Sequence, residues 1–288
     1  MIYFIITLFF FSTIEIASKP LMGVIDPFLL TLIRFSLGFL TILAFGLIYG
    51  QQKELLKLTI KQIGILAFLG FVNAFFSMSM LQLAVKNTSA ATAAVVFCSN
   101  PMFALFFSII YKDEKASFKN FAPVLLGILG TFFVMKDKGL VLDYGVIYAL
   151  LASIGFGFYY VTGKKTASNM SVFTVNTVSF FFGILALFIF ILVSGRGFNA
   201  DLFSNTGMVT AKLKLSTILY LGVLVSGVGY LTFFKTLKKY SAMSSSYIFL
   251  LKPTVATILA IIFLGERVGL NFWAGMLMIV AGGVLVLY

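Results

Sequence analysis

Read along the chain, apolar positions neither alternate nor form isolated amphipathic stripes. They run in ten long blocks divided by short polar breaks, at about residues 2–19, 28–49, 62–83, 89–110, 119–135, 144–162, 172–194, 216–236, 242–263 and 270–288. Each block is about the length a helix needs to cross roughly 30 Å of hydrocarbon. The alternating segments of about ten residues that mark a transmembrane β-strand do not occur. The pattern predicts an all-α polytopic membrane protein with ten transmembrane helices and no soluble domain. The breaks Lys112-Asp113-Glu114-Lys115 and Lys136-Asp137-Lys138-Gly139 read as polar turns. The longest break, Arg196 to Leu215, carries Gly, Asn, Asp and Thr and reads as an interfacial loop. No basic stretch precedes the first block and no small-x-small site follows it, so it reads as a retained helix rather than a cleaved signal.

The blocks repeat. A shift of 152 residues lays Lys86 on Lys238, Ala90 on Ala242, Phe97 on Phe249, Pro101 on Pro253, Glu114 on Glu266 and Gly130 on Gly282. Near the start a shift of 145 lays Tyr3 on Tyr148, Lys19 on Lys164, Gly38 on Gly183 and Gly50 on Gly195. The longer 196–215 break absorbs the difference. Two five-helix units are expected, residues 1–138 and 139–288. Because five is odd, the second must sit inverted in the membrane, with a central cavity between the two. The loops at 50–61, 111–119, 163–171 and 235–241 carry eleven Lys and Arg, against eight on the other side. That bias places both termini in the cytoplasm.

Composition excludes whole classes of function. The chain is 61% hydrophobic and only 10% charged, where soluble domains carry about 25% charge. Its net charge of +12 sits in lysines between apolar blocks, where they set topology and meet lipid headgroups rather than nucleic acid. Cys98 stands alone, so no intramolecular disulfide forms, and the absence of histidine removes His-based metal sites and acid–base catalysis. No metal or cofactor is expected. The partners expected are membrane lipids and a small-molecule substrate. A monomer is expected, with a homodimer as the alternative.

Ionisable residues inside a membrane are candidates for function by default, and three stand out: Glu15, Arg34 and Lys252. Lys252, directly before Pro253, lies about ten residues from either end of its block, too deep to snorkel. Pro253 removes a helix hydrogen bond and frees the Phe249 carbonyl, which predicts a bend beside the charge. The first-half counterpart, Asn100-Pro101, keeps the proline and replaces the charge with an amide. Lys252 therefore reads either as facing a substrate cavity or as pairing with a carboxylate such as Glu15. Glu15 lies near the outer end of block one. Arg34, six residues into block two, lies ~9 Å deep from the same side. They read as an ion pair fixing the helix hairpin, with Arg34 structural, or Glu15 reads as a proton or cation site. Asn73, Ser77, Asn100, Tyr160, Asn176, Tyr230 and Tyr247 are further candidates for lining the cavity, or for interhelical hydrogen bonds. Glu114 and Glu266 read as structural, each neutralising the start of the following helix. Pro101 and Pro253 read as scaffold.

The run Leu251-Lys252-Pro253-Thr254-Val255-Ala256 through Leu264-Gly265-Glu266-Arg267 resembles the EamA-type branch of the drug/metabolite transporter superfamily. Its counterpart Asn100-Pro101…Asp113-Glu114, Arg34, Tyr159-Tyr160 with Lys164-Lys165, and Gly275…Gly282-Gly283 carry the same resemblance. The resemblance implies a ten-helix carrier in the cell membrane with a cavity open alternately to either side. It also implies small polar, sugar-linked or cationic drug substrates. Glu15 is similar in position to the first-helix glutamate of the smaller four-helix exporters of that superfamily, which binds protons and cations in competition. The expected function is secondary export of a small polar metabolite, an amino acid or similar zwitterion. Lys252 would meet its carboxylate, and Glu15 or a tyrosine face its ammonium. Alternatives are export of cationic drugs or of anionic, phosphorylated or sugar-linked compounds. A channel lacks a filter-like loop, and an intramembrane enzyme lacks a nucleophile with its base.

Overall fold

The computed structural model describes residues 2–112, 118–136, 143–168, 170–196, 208–239 and 242–285. Glu114 lies outside them, as does the side chain of Tyr247. Among the described residues, seven helices are long and apolar enough to cross a membrane: α1 (Ile2–Leu21), α2 (Pro27–Ile48), α3 (Ile60–Asn87), α4 (Ala90–Ile110), α6 (Tyr144–Thr166), α7 (Val172–Val193) and α8 (Ala211–Lys238). Three shorter apolar helices accompany them, α5 (Ala122–Lys136), α9 (Ile248–Leu264) and α10 (Leu270–Leu285). The protein is an integral membrane protein. A helix suits these segments because in hydrocarbon every backbone N–H and C=O needs a partner within its own segment.

Helix starts follow local chemistry. Asp26 precedes Pro27 and accepts from the Phe28 and Leu29 N–H groups at 2.9 and 3.4 Å. Thr59 and Gln62 form a reciprocal capping box for α3. Ser89 and Ser171 cap α4 and α7 through the N–H groups of Thr92 and Thr174. Asp143 accepts from Gly145 N–H at 2.8 Å ahead of α6.

Two helices exceed the lengths expected from the apolar blocks. α3 and α8 each run 28 residues, and the helix carrying α8 begins at Met208, inside the expected loop. At 1.5 Å per residue each spans about 42 Å. Both contain π-helical turns, at Phe71–Ser77 and Tyr220–Gly229. These segments end at residues related by the same 152-residue shift that aligns the sequence halves. π turns gather at functional sites because they rotate the following side chains out of register.

The most extensive helix pairings are unchanged when α1–α5 are exchanged with α6–α10. α2 packs on α8 and α7 on α3; α6 packs on α3 and α4, and α1 on α8 and α9. α2 with α7, α4 with α9 and α5 with α10 map onto themselves. The α5–α10 contact is a backbone approach: a Cβ added to Gly130 would lie 2.7 Å from the Gly275 carbonyl oxygen. Small residues allow such approaches where lipid offers no hydrophobic drive to association.

Three expectations are revised. Glu266 does neutralise a helix start, but not that of the helix following it. Its carboxylate accepts from Ala90 and Ala91 N–H at 2.7 and 2.9 Å, at the start of α4 and some 175 residues back in sequence. The proline effect also differs between halves. In the first half the helix stops at Phe97 and resumes at Asn100, whereas a single helix, Ala242–Leu264, runs through Pro253. Finally, α1 is itself broken at Thr13, whose hydroxyl donates to Phe10 O at 2.9 Å and meets the Tyr220 hydroxyl at 2.6 Å.

Two predictions follow from this packing. Gly275→Val should destabilise the protein by about 1–3 kcal/mol through overpacking. Gly64→Ala, which meets nothing within 4 Å, should leave the melting temperature of the purified protein level or slightly raised. Equal effects would refute the close α5–α10 contact. Glu54, in the loop after α2, accepts from Ser171 N–H at 2.9 Å and from the Thr174 hydroxyl at 2.7 Å. Burial pushes its carboxyl up, but these hydrogen bonds and nearby Lys238 outweigh that and hold it below its ordinary 4.5. Its stabilisation is therefore present above that value and lost as pH falls through the lowered one. Wild type should lose more melting temperature than Glu54→Gln on acidification below 4.5; parallel pH curves would remove Glu54 from this role.

Candidate functional site

Polar side chains collect where α1, α2, α3, α8 and α9 converge. Among the described residues three charged side chains are wholly shut off from solvent: Glu15, Arg34 and Lys252, each 0% exposed. The Lys252 ammonium donates to Glu15 Oε1 at 2.7 Å. Lys252 also lies 4.6 Å from the centre of the Phe97 ring, whose negative face attracts a cation. Glu15 stands on α1 and Lys252 on α9, so this pair ties the first half of the chain to the second. Of the two readings of Lys252, the structure realises pairing with Glu15, and the Glu15–Arg34 ion pair is not formed. Arg34 lies close enough to Glu15 and Tyr230 to feel both electrostatically, yet its Nε, Nη1 and Nη2 have no hydrogen-bond partner among the described residues.

Asn100 explains why the two halves differ at their prolines. Pro101 has no N–H for the Phe97 carbonyl four residues back. The Asn100 side-chain amide supplies the missing donor, reaching Phe97 O at 2.8 Å. Ser99 repairs the same break, donating to Val96 O at 2.7 Å and meeting the Ser153 hydroxyl at 2.8 Å. Asn100 therefore serves the helix here, while its counterpart Lys252 sends its side chain across the bundle.

The other candidates divide between satisfied and open groups. Tyr230 donates to Asn73 Oδ1 at 3.3 Å, joining α8 to α3 just beyond and within the two π segments. Its ring packs against Phe11, Phe35 and Phe180, with centroids 5.1–5.7 Å away. Ser77 donates to Ala152 O at 2.7 Å and acts as an interhelical tie. Tyr160 is buried beside Phe233. Asn176 spends its amide nitrogen on Val172 O at 2.8 Å, leaving Oδ1 unpartnered.

Sequence reasoning gave little weight to Tyr159 and passed over Ser12, Gln82 and Thr177, all buried with an unpartnered oxygen. Ser12 carries the one legible signal, lying three residues before Glu15 and so on the same helix face. Two cavities lie at opposite ends of α8. One of about 530 Å³ is lined by Ala17, Pro20, Leu213, Ser216 and Tyr220. The other, about 310 Å³, is lined by Tyr49, Gln51, Ser171, Lys235 and Lys238.

A membrane protein built of apolar helices around a sealed ionic centre, with recesses at both ends of one helix, has the makings of a carrier. The chain belongs to the EamA-like transporter family, within the drug/metabolite transporter superfamily; the family matches it twice, over residues 1–136 and 143–288. It is 34% identical to an uncharacterized transporter of Clostridium kluyveri, covering 99% of this chain and 91% of that one. A more distant relative, the S-adenosylmethionine uptake transporter of Rickettsia bellii, is 24% identical over 60% of this chain and 58% of its own length. A crystal structure sharing 19% identity has the same fold, with TM-score 0.70, covering 99% of this chain and 95% of that one. The protein is thus a membrane transporter rather than an enzyme by family.

Removing one partner of a buried ion pair strands the other. Lys252→Met should cost about 3–5 kcal/mol, and the double variant Lys252→Met, Glu15→Gln should recover most of it. Thermal melts of the four proteins in detergent read the coupling; additive losses would show that the two groups act independently.

Proposed function

We propose that this protein is a secondary transporter that exports a small zwitterionic metabolite, an amino acid or close relative, across the cell membrane with both termini cytoplasmic. In this reading it works by alternating access between two inverted five-helix halves, residues 1–138 and 139–288. The double family match, the exchange-invariant helix pairing and the paired π segments support such halves. The observation that carries the proposal is the sealed Glu15–Lys252 pair between α1 and α9. In a medium without water an ion pair opens only when something replaces one partner. A substrate ammonium can take Lys252's place on Glu15, so occupancy of the site and release of the tie between the halves become one event. A ligand that binds the opened state better shifts the population toward it.

A purely anionic cargo fits less well, because it offers no ammonium to take Lys252's place on Glu15. S-adenosylmethionine, named for the Rickettsia relative, carries an amino-acid head and offers the same two charged groups; uptake in place of export is a matter of the driving gradient. Proton coupling is a separable part of the proposal. A proton on Glu15 removes its charge and opens the pair as a substrate ammonium does. In proteoliposomes, Glu15→Gln should abolish stimulation of transport by a pH gradient. Transport by that variant that stays fully gradient-dependent would sink the coupling. Wild-type rates in a folded Lys252→Met variant would sink the role of the pair.

A further inference from the structure

Arg34 is the group the ion pair leaves unexplained. It stands on α2, 0% exposed, and offers five N–H donors in a planar fork. None of its three nitrogens has a hydrogen-bond partner among the described residues. A bare cation at this depth is among the costliest arrangements a membrane protein can hold. Its neighbours do not relieve it. Neither the Tyr230 hydroxyl, which donates to Asn73, nor the Glu15 carboxylate, which meets Lys252 through Oε1, accepts a hydrogen bond from it.

Glu15 Oε2 is also buried and unpartnered. The centre therefore presents two buried groups of opposite sign that do not hydrogen-bond each other and have open atoms among the described residues. One is a carboxylate oxygen on α1, the other a guanidinium on α2. That is the complement of a molecule carrying both an ammonium and a carboxylate. Lys252 cannot serve as the free cation, because its ammonium is committed to Glu15.

We propose that Arg34 is the anion anchor of the substrate site, receiving the substrate carboxylate on its guanidinium fork. Lys252 is the internal counter-ion that occupies Glu15 until the substrate ammonium arrives. This deepens the zwitterion reading above and rests on it. It moves the carboxylate contact from Lys252, where sequence reasoning put it, to Arg34, there read as structural. The fork can hold both oxygens of a carboxylate at once, which an ammonium cannot do with fixed geometry.

The test uses the full chain purified in detergent, with melting temperature and calorimetric binding as readouts. The probes are the twenty proteinogenic amino acids, the amide of each one that binds, and the acetate and chloride ions. Loss of a charged hydrogen-bond partner should weaken binding about ten- to hundredfold. Wild type should therefore bind an amino acid about tenfold or more tighter than its amide. Arg34→Gln should erase that preference, Arg34→Lys should retain part of it, and Lys252→Met should keep it. Equal binding of amino acid and amide by wild type would overturn the proposal, as would a preference that survives Arg34→Gln. So would a preference that is lost only in Lys252→Met. Should Arg34→Gln fail to fold, Arg34→Lys decides, since it keeps the charge and removes only the fork. If no amino acid binds but acetate or chloride stabilises wild type and not Arg34→Gln, the anion anchor stands and the zwitterion reading falls. If neither amino acids nor anions act through Arg34, both fall.

Discussion

Charge buried in hydrocarbon must be met by charge, and the centre of this protein is arranged around that requirement. Glu15 and Lys252 meet each other at 2.7 Å, on helices from opposite halves of the chain. The contact is both a condition of folding and a mechanical tie. Isolated, either ion would carry a penalty of several kcal/mol, so the pair holds α1 to α9 for as long as nothing substitutes for a partner. Arg34 leaves the charge count uneven, with two buried cations and one buried anion among the described residues.

The symmetry of the fold makes the departures from it informative. Helix pairing and π turns recur in both halves, as expected of elements that shape a scaffold. At the paired prolines the halves part company. Asn100 turns back to mend its own helix by bonding Phe97 O, while Lys252 reaches out to Glu15. The ring of Phe97 sits against that same lysine, so the mended break of the first half forms part of the wall around the charge of the second.

Chemistry and scaffold are separable for the same reason. The fold is shared with a crystal structure of low sequence identity, while what a transporter carries depends on a few particular side chains. Here those are an ion pair, an open guanidinium and a tyrosine–asparagine contact joining the two π segments. The aromatic packing of Tyr230 with Phe11, Phe35 and Phe180 fixes that contact in place. It also keeps the surroundings apolar, which strengthens each charge interaction inside.

Membrane class, the positions of the apolar helices, the doubled pattern and the prominence of Lys252, Glu15 and Arg34 were all legible in the sequence. They follow from local regularities: block length against membrane thickness, a repeat at fixed spacing, and the rarity of ions in apolar runs. The partners of those residues were not legible. Glu15 lies 19 residues from Arg34 in the chain and 237 from Lys252, yet it bonds the distant one. Glu266 caps a helix more than a hundred residues back rather than the one that follows. α3 and α8 run beyond their apolar blocks, and their packing brings Tyr230 onto Asn73. Sequence by itself determined which residues had to be buried and that their charges needed answers. Only the tertiary structure decided which answered which, because a contact between helices depends on how their faces are turned, and no spacing along one helix encodes the rotation of another.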